Sequence, residues 1–307
     1  MRNTISETLI TLGRGYLRDA PGTLGKGAFA RQCLNPWLRR LPRQRVVRTR
    51  FGAAMAVDTQ DLIQRYVYMF GVWEPHMTRW LQRRLRPGDT YIDVGANIGY
   101  FSLLAAHLVG DRGRVVAIEA SPAIHAKLLR HAEMNACHRL RALNTAVADE
   151  RKTVTLTLAS SHNVGAASII PYEGQAESRL DIEARPLPEI LDPDDITSAR
   201  VIKIDVEGAE GAVIRGLAPL LDKLRPDAEL TIEVTPKRMA ALGESADDLL
   251  KTMRDHGFHA YRLTNNYDPG SYPKALRPSA GVAVRWRGPV VEESDVIFSR
   301  VDAETLP

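Results

Sequence analysis

The stretch Thr90–Val109, TYIDVGANIGYFSLLAAHLV, constrains this chain more than any other. A short apolar strand ends at Asp93 and Val94, the backbone turns on Gly95 and Gly99, and an apolar helix from Gly99 to Val109 begins at once. Glycine adopts positive φ without penalty and lets a ligand lie against bare backbone. In an open α/β sheet the crevice at the carboxyl ends of the strands is where ligands bind. The segment therefore predicts both a fold class and the position of a site.

The neighbouring pattern agrees. Arg114 to Ala120 (RVVAIEA) reads as a second buried strand, Pro122 to Asn135 as a helix with Pro at its start, and Leu140 to Val147 as a third strand. This β-α-β-α-β alternation predicts a mostly parallel sheet with helices on both faces. Upstream, Phe51 to Asp58 reads as a strand, and Asp61 to Phe70 and Pro75 to Leu85 as helices. Downstream, residues 153–158 alternate like a half-exposed strand, and a polar loop follows. Val201 to Val206 is a buried strand feeding a helix from about Gly208 to Leu221. Ala228 to Val234, a helix near Ala246 to His256, and strands near His259 to Leu263, Val282 to Trp286 and Val296 to Arg300 complete the chain. The helix-poor end predicts an antiparallel end strand.

Glycine spacing and charge separate the nucleoside cofactors. Dinucleotide sites use GxGxxG, whose close glycines approach a pyrophosphate at a helix N-terminus. Here the glycines fall as GxxxG and Asp93 stands beside the turn. A carboxylate repels a pyrophosphate but suits the ammonium of a methionine moiety, directly or through water. Charge thus favours the sulfonium cofactor S-adenosylmethionine over a nicotinamide dinucleotide. Glu119 ends the second strand, 24 residues after Gly95, placed to accept from both ribose hydroxyls.

A second acidic cluster, Lys203-Ile204-Asp205-Val206-Glu207-Gly208-Ala209-Glu210, spans another strand exit and helix start. Carboxylates at a helix N-terminus are favoured by the dipole by about 0.3–1 kcal/mol, so capping is the plain reading of Glu210 and partly of Glu207. The chemical reading makes Asp205 or Glu207 the group that orients or deprotonates a substrate hydroxyl. His162, in the polar loop SSHNVG, is a further candidate base near neutral pH. Glu233 can reach the same crevice as a substrate contact, and Tyr267, Tyr272 and Trp286 are candidates to stack on a sugar face. Clustered carboxylates can also hold a divalent cation. No histidine joins them in sequence, and no metal is expected.

Charge is unevenly spread. Residues 1–50 carry eleven Lys and Arg against Glu7 and Asp19, a formal +9, which leaves −5 for the other 257 residues of a chain whose total is +4. This predicts a basic N-terminal extension over 1–50 and a catalytic domain over 51–307. Such an arm can meet nucleic acid or simply pack on the domain, and without interleaved aromatic residues it argues weakly for nucleic acid. Cys33 and Cys137 lie far apart, which fits a reducing compartment. No apolar run approaches the roughly 18 residues a membrane helix needs, and no signal-peptide pattern opens the chain. The expectation is a cytoplasmic protein without a transmembrane segment.

The segments PGDTYIDVGANIGYFSLLAAHLVGDRGRVVAIEASP, HAEMNACHRLRALNTAVADE and VIKIDVEGAEGAVIRGL, in that order, closely resemble the FkbM-type methyltransferases. The likeness runs from about Arg86 to Thr235, the expected cofactor-binding core, with a looser match at YMFGVWE (Tyr68 to Glu74). One departure is Glu119-Ala120-Ser121-Pro122, where the family more often has Glu-Pro-x-Pro. The resemblance implies a class I methyltransferase (Rossmann-like) fold and S-adenosylmethionine as cofactor. By position, Gly95, Asn97 and Gly99 would hold the methionine part and Glu119 the ribose, with Asn144, Thr145 and Ala146 near the adenine. It further implies O-methylation of a hydroxyl on a sugar, glycan or secondary metabolite. An RNA methyltransferase and a nicotinamide-dependent oxidoreductase are the alternatives.

Overall fold

The structure, a computed structural model, describes residues 2–158, 167–168, 178–277 and 279–306. The strands, in chain order, are β1 (Gln44–Arg48), β2 (Ala54–Asp58), β3 (Thr90–Val94), β4 (Arg114–Ile118), β5 (Leu140–Leu143), β6 (Ala146–Val147), β7 (Lys152–Leu158) and β8 (Ala167–Ser168). They continue with β9 (Ser178–Arg185), β10 (Ala199–Ile204), β11 (Glu229–Val234), β12 (His259–Leu263), β13 (Ala283–Arg285), β14 (Ser294–Ser299) and β15 (Thr305–Leu306). Among the described residues, a nine-stranded sheet has the order β15-β13-β12-β14-β11-β10-β3-β4-β5. From β5 to β11 neighbouring strands are parallel. β14 then inserts antiparallel between β11 and β12, and β13 and β15 extend the antiparallel end. The chain moves outward from β3 through β4 to β5, then returns to β10 on the other side. Strand order therefore reverses between β3 and β10, the place where an α/β sheet opens a crevice. This is the class I methyltransferase fold.

Alternating residues show how the sheet is buried on both sides. Tyr91, Val115, Val201, Tyr261 and Ile297 point into one core, which they share with Tyr66, Phe70, Trp80, Leu81 and Leu104 from the helices Leu62–Phe70, Pro75–Arg84 and Tyr100–Val109. Their neighbours Ile92, Val116, Ile202, Ala260 and Phe298 point the opposite way, against Val213, Leu217, Leu249 and Met253 of the helices Glu210–Leu221 and Ala246–Asp255. Each fully buried side chain of this kind contributes about 1.5–3 kcal/mol.

The basic N-terminal residues are built into the first core. Ile10, Leu17, Ala30, Leu34 and Leu38 are buried in it, and the β1–β2 hairpin, Gln44↔Asp58 through Arg48↔Ala54, spans residue 50. The N-terminal residues thus pack on the domain, and the hairpin runs across the boundary expected at residue 50. Several arginines behind the positive charge bind the protein itself. Arg14 Nε donates to the Tyr68 carbonyl at 2.8 Å and Arg50 Nε to the Phe70 carbonyl at 3.0 Å, while Arg43 pairs with Glu7 at 2.5 Å. β2 is also tied to the helix Pro122–Met134. His131 Nδ1 faces the Ile98 carbonyl (2.8 Å), its Nε2 lies 3.0 Å from the Ala56 carbonyl oxygen and 3.1 Å from the Ala56 nitrogen, and burial lowers its pKa.

One expected strand divides. Leu140 to Val147 reads as continuous, yet β5 pairs with β4 while β6 joins a separate four-stranded sheet of order β6-β9-β7-β8. The break falls at Asn144, whose Nδ2 donates to the Glu119 and Ala120 carbonyls at 2.8 and 2.9 Å. An amide that caps the end of β4 in this way cannot continue the ladder beside it. Among the described residues no helix is long and apolar enough to cross a membrane.

Candidate active site

The ends of β3, β4 and β10 meet at the glycine turn. Gly95 N and Ala96 N both donate to the Ile118 carbonyl at 2.9 Å, and Asp205 N donates to the Val94 carbonyl at 2.9 Å. Gly95 has φ 81°, and a Cβ there would lie 1.7 Å from the Asp205 carbonyl oxygen. Only glycine fits, because two strand ends 110 residues apart in sequence are in backbone contact. Gly99, at φ 85°, opens the following helix, where a Cβ would meet Leu128 at 3.0 Å.

Glu119 is fixed from two sides. Its Oε2 accepts the Asn97 N–H and its Oε1 the Ser121 N–H, each at 2.8 Å. Asn97 holds φ 50°, and its Oδ1 accepts the Ile98 N–H at 2.7 Å, so its side chain braces the turn that delivers its own N–H. Burial pushes the Glu119 carboxyl up to about 7 in spite of the two N–H donors. Each of its oxygens keeps an uncommitted lone pair.

Asp93, expected to meet the methionine ammonium directly or through water, stands behind the turn. It is fully buried and does not line the cavity, and its Oδ2 accepts from Ser102 Oγ at 2.6 Å. Its Oδ1 is a buried acceptor without a hydrogen bond, 3.9 Å from Lys203 Nζ. Strand alternation explains this: Val94 and Gly95 carry the turn, while Asp93 points beneath it into the Ser102 side of the helix.

A cavity of about 600 Å³ opens at this crevice. One end is walled by Gly95, Asn97, Glu119, Ile124, Thr145 and Ala146, and the other by Trp73, Glu74, Asp205, Glu233 and Tyr267. Asp205 bonds Lys203 Nζ at 2.8 Å. Burial would raise the Asp205 carboxyl, but the adjacent ammonium holds it below the ordinary range, while Glu233 and Glu74 are pushed well above theirs, chiefly by burial. Tyr267 Oη lies 3.0 Å from Glu74 Oε1 and 3.1 Å from Glu233 Oε1, and it accepts from Asn265 Nδ2 at 2.9 Å. Trp73 stacks on Tyr267 with ring centroids 5.2 Å apart and planes 12° from parallel.

The other sequence candidates divide. Glu207 lines the cavity with φ 60° but is ion-paired with Arg238. Glu210 is buried, accepting the Gly208 N–H at 2.9 Å, and burial raises its carboxyl to about 7; it closes the helix start. Tyr272 packs between Tyr66 and Phe70, and Trp286 lies under Arg262, both away from the cavity wall. His162 lies outside the described residues. Glu74 and Lys203 carry roles that sequence reasoning did not assign. Glu74 sits at φ 40° between Trp73 and a helix-starting Pro75, so the signal for it was an acidic residue in an apolar run before a proline.

The family model described as the methyltransferase FkbM domain matches residues 93–260, and that of protein-L-isoaspartate(D-aspartate) O-methyltransferase matches residues 26–159. Protein-L-isoaspartate O-methyltransferase 1 of Arabidopsis thaliana is 32% identical over 73 residues, which are 22% of this chain and 32% of that protein. The chain thus matches about a third of that relative's length. Among solved structures, Aeropyrum pernix fibrillarin with bound S-adenosyl-L-methionine is 11% identical, with a TM-score of 0.42 over 92% of this chain and 85% of its own. A Thermotoga maritima S-adenosylmethionine-dependent O-methyltransferase is 15% identical, with a TM-score of 0.41 over 85% and 79%.

Proposed function

The chain belongs to the FkbM methyltransferase family, whose cofactor is S-adenosylmethionine, and on that premise we propose that it methylates a hydroxyl oxygen of a sugar, glycan or secondary metabolite. The observation that carries this reading is a single cavity with a locked carboxylate, Glu119, at one end and an ionised carboxylate, Asp205, at the other.

The residues fit the cofactor. Small-molecule pockets run to about 300–1,000 Å³, and this one holds about 600 Å³. The free lone pairs of Glu119 suit the two hydroxyls of a ribose, and two N–H donors prevent the carboxylate from turning away. The apolar side chains of Ile124, Ala146 and Val147 line the wall beside it, as an adenine plane requires. When bound, S-adenosylmethionine supplies a methyl group on a cationic sulfur, open to in-line displacement by an oxygen lone pair.

Asp205 is the group we assign to the acceptor proton. With the cofactor bound, Asp205 would take the proton of the acceptor hydroxyl as the oxygen bonded the methyl carbon and the carbon–sulfur bond broke, the sulfur leaving as the neutral thioether of S-adenosylhomocysteine. Lys203 keeps that carboxylate ionised and oriented. Glu207 is tied to Arg238 and shapes the wall instead.

The test is a pair of variants with calorimetry of S-adenosylhomocysteine binding in parallel. Asp205→Asn is expected to lower kcat by about 10²- to 10⁴-fold, and Glu207→Gln by much less. Wild-type turnover in both variants overturns the assignment.

A further inference from the structure

The acceptor end of the cavity holds more carboxyls than it can hold charges. Tyr267 Oη lies within 3.1 Å of a carboxyl oxygen on each of two residues, Glu74 and Glu233, while also accepting from Asn265. A phenol has one hydrogen to donate. It can satisfy one of these carboxyls; the other must itself carry a proton and donate back to the phenolic oxygen. Asp205 lies on the same wall, bonded to Lys203, so a further negative charge beside it is disfavoured. Two directions satisfy the contacts of the phenol: Glu74 O–H to Tyr267 and Tyr267 O–H to Glu233, or the reverse.

We propose that Glu74, Tyr267 and Glu233 form one directional hydrogen-bond chain that holds a shared proton on the same wall as the Asp205 carboxylate, and that this wall admits uncharged hydroxyl-bearing acceptors while excluding phosphorylated, sulfated or carboxylated ones. The inference rests on the functional reading above and narrows its substrate class.

The charge is already matched. Lys203 Nζ lies 2.8 Å from Asp205, and the cations on the cavity wall are engaged too, Lys152 with Asp149 at 2.7 Å and Arg238 with Glu207. An incoming anion would be buried beside carboxyl oxygens where, among the described residues, the cations on the wall are already paired, a costly arrangement. An uncharged polyol meets suitable partners: Asp205 to accept from a hydroxyl, carboxyl oxygens to accept from others, and the Trp73–Tyr267 stack as an apolar wall for a sugar ring's carbon face. Other charged and titratable groups facing the chain are Asp295, linked through Asn265, Glu293 on the cavity wall, and Tyr272, which lies 3.4 Å from the Glu74 N–H. The upward shift of Glu74 and Glu233 agrees with the proton count.

Two measurements test this on the full chain. The first uses infrared difference spectroscopy at neutral pH, comparing wild type with Glu74→Gln and Glu233→Gln. The expected result is a protonated-carboxyl band in wild type that each substitution diminishes; its absence overturns the chain whatever the acceptor. The second offers the protein, saturated with S-adenosylhomocysteine, matched pairs of methyl hexosides and their uronic acid or 6-phosphate counterparts, and reads binding and, with labelled S-adenosylmethionine, transfer. The neutral member of a pair should bind at least about tenfold more tightly than the anionic one. Glu74→Ala should lose that binding and Glu74→Gln recover most of it, since an amide N–H can replace the carboxyl O–H. Equal or tighter binding of an anionic member overturns the proposal. Failure of S-adenosylhomocysteine to bind would instead sink the cofactor reading, and the infrared result would still decide the chain.

Discussion

The two ends of the cavity solve the problem of a buried carboxylate in opposite ways. Glu119 is held by backbone, with one N–H on each oxygen, both from residues within a few positions of a strand end. Asp205 is held by a side chain, the Lys203 ammonium of β10, and stands on the same wall as Glu233 of β11 and the hydrogen-bonded Glu74–Tyr267 pair. Backbone donors cannot rotate away or titrate, so the first end is geometrically rigid. Side chains that share protons make the second end responsive to charge. A cofactor common to a whole family suits the first design, and an acceptor that differs between members suits the second.

The sharpest way to break this contrast is to strike the rigid end. Gly95→Ala puts a Cβ against the Asp205 carbonyl at a φ of 81°, and strain at such positions runs to about 1–3 kcal/mol before the clash is counted. We expect loss of measurable S-adenosylhomocysteine binding together with a lower Tm. Retention of both would show that the turn is not backbone-limited. Glu119→Gln should follow, weakening cofactor binding by about 10- to 100-fold, the loss of a charged hydrogen bond worth about 1.5–3 kcal/mol. Calorimetry at fixed pH checks it.

Tyr267→Phe probes the responsive end alone. It should lower methyl transfer by about tenfold, about one hydrogen bond, and leave cofactor binding unchanged. Equal losses in both would merge the two ends into one. Acidity gives a subtler test. The folded-state pKa of Glu119 is raised from an ordinary 4.5 to about 7, so the stability that goes with its protonated form is full below 4.5 and is lost as pH rises through about 7. Tm of the ligand-free protein should decline across that window, and the decline should flatten in Glu119→Gln. Asp295, also raised to about 7, keeps some slope in place. The smallest expected change in ligand binding comes from Ser102→Ala. Removing the donor to Asp93 should cost about 1.5–3 kcal/mol of stability, with ligand binding left within about twofold, since Asp93 lies behind the wall.

The same contrast explains what the sequence disclosed. The parallel core was legible because strand, turn and helix signals follow one another within Thr90–Val147, and each is local. The turn of Gly95 and Asn97 and the strand end at Glu119 were legible for that reason. The full burial of Asp93 was not, because proximity to a turn in sequence says nothing about which face of β3 a side chain takes. Glu74 and Tyr267 were separated by 193 residues before the fold brought their oxygens to 3.0 Å, and no spacing rule reaches that far. The N-terminal helices were read as an appendage because arginine dominates the composition there. The buried stripe of Ile10, Leu17, Leu34 and Leu38 is too sparse within each short segment to outweigh it.

The pairing of β3 with β10 also has a temporal consequence. Residue 95 leaves the ribosome long before residue 205, and until the later strand emerges the glycine turn has no neighbour on that side. Non-local strand pairings form slowly and leave exposed edges while they wait. Nascent chains arrested before β10 should therefore be unable to retain the nucleoside ligand, and that unfinished edge is where a chaperone would have most to protect.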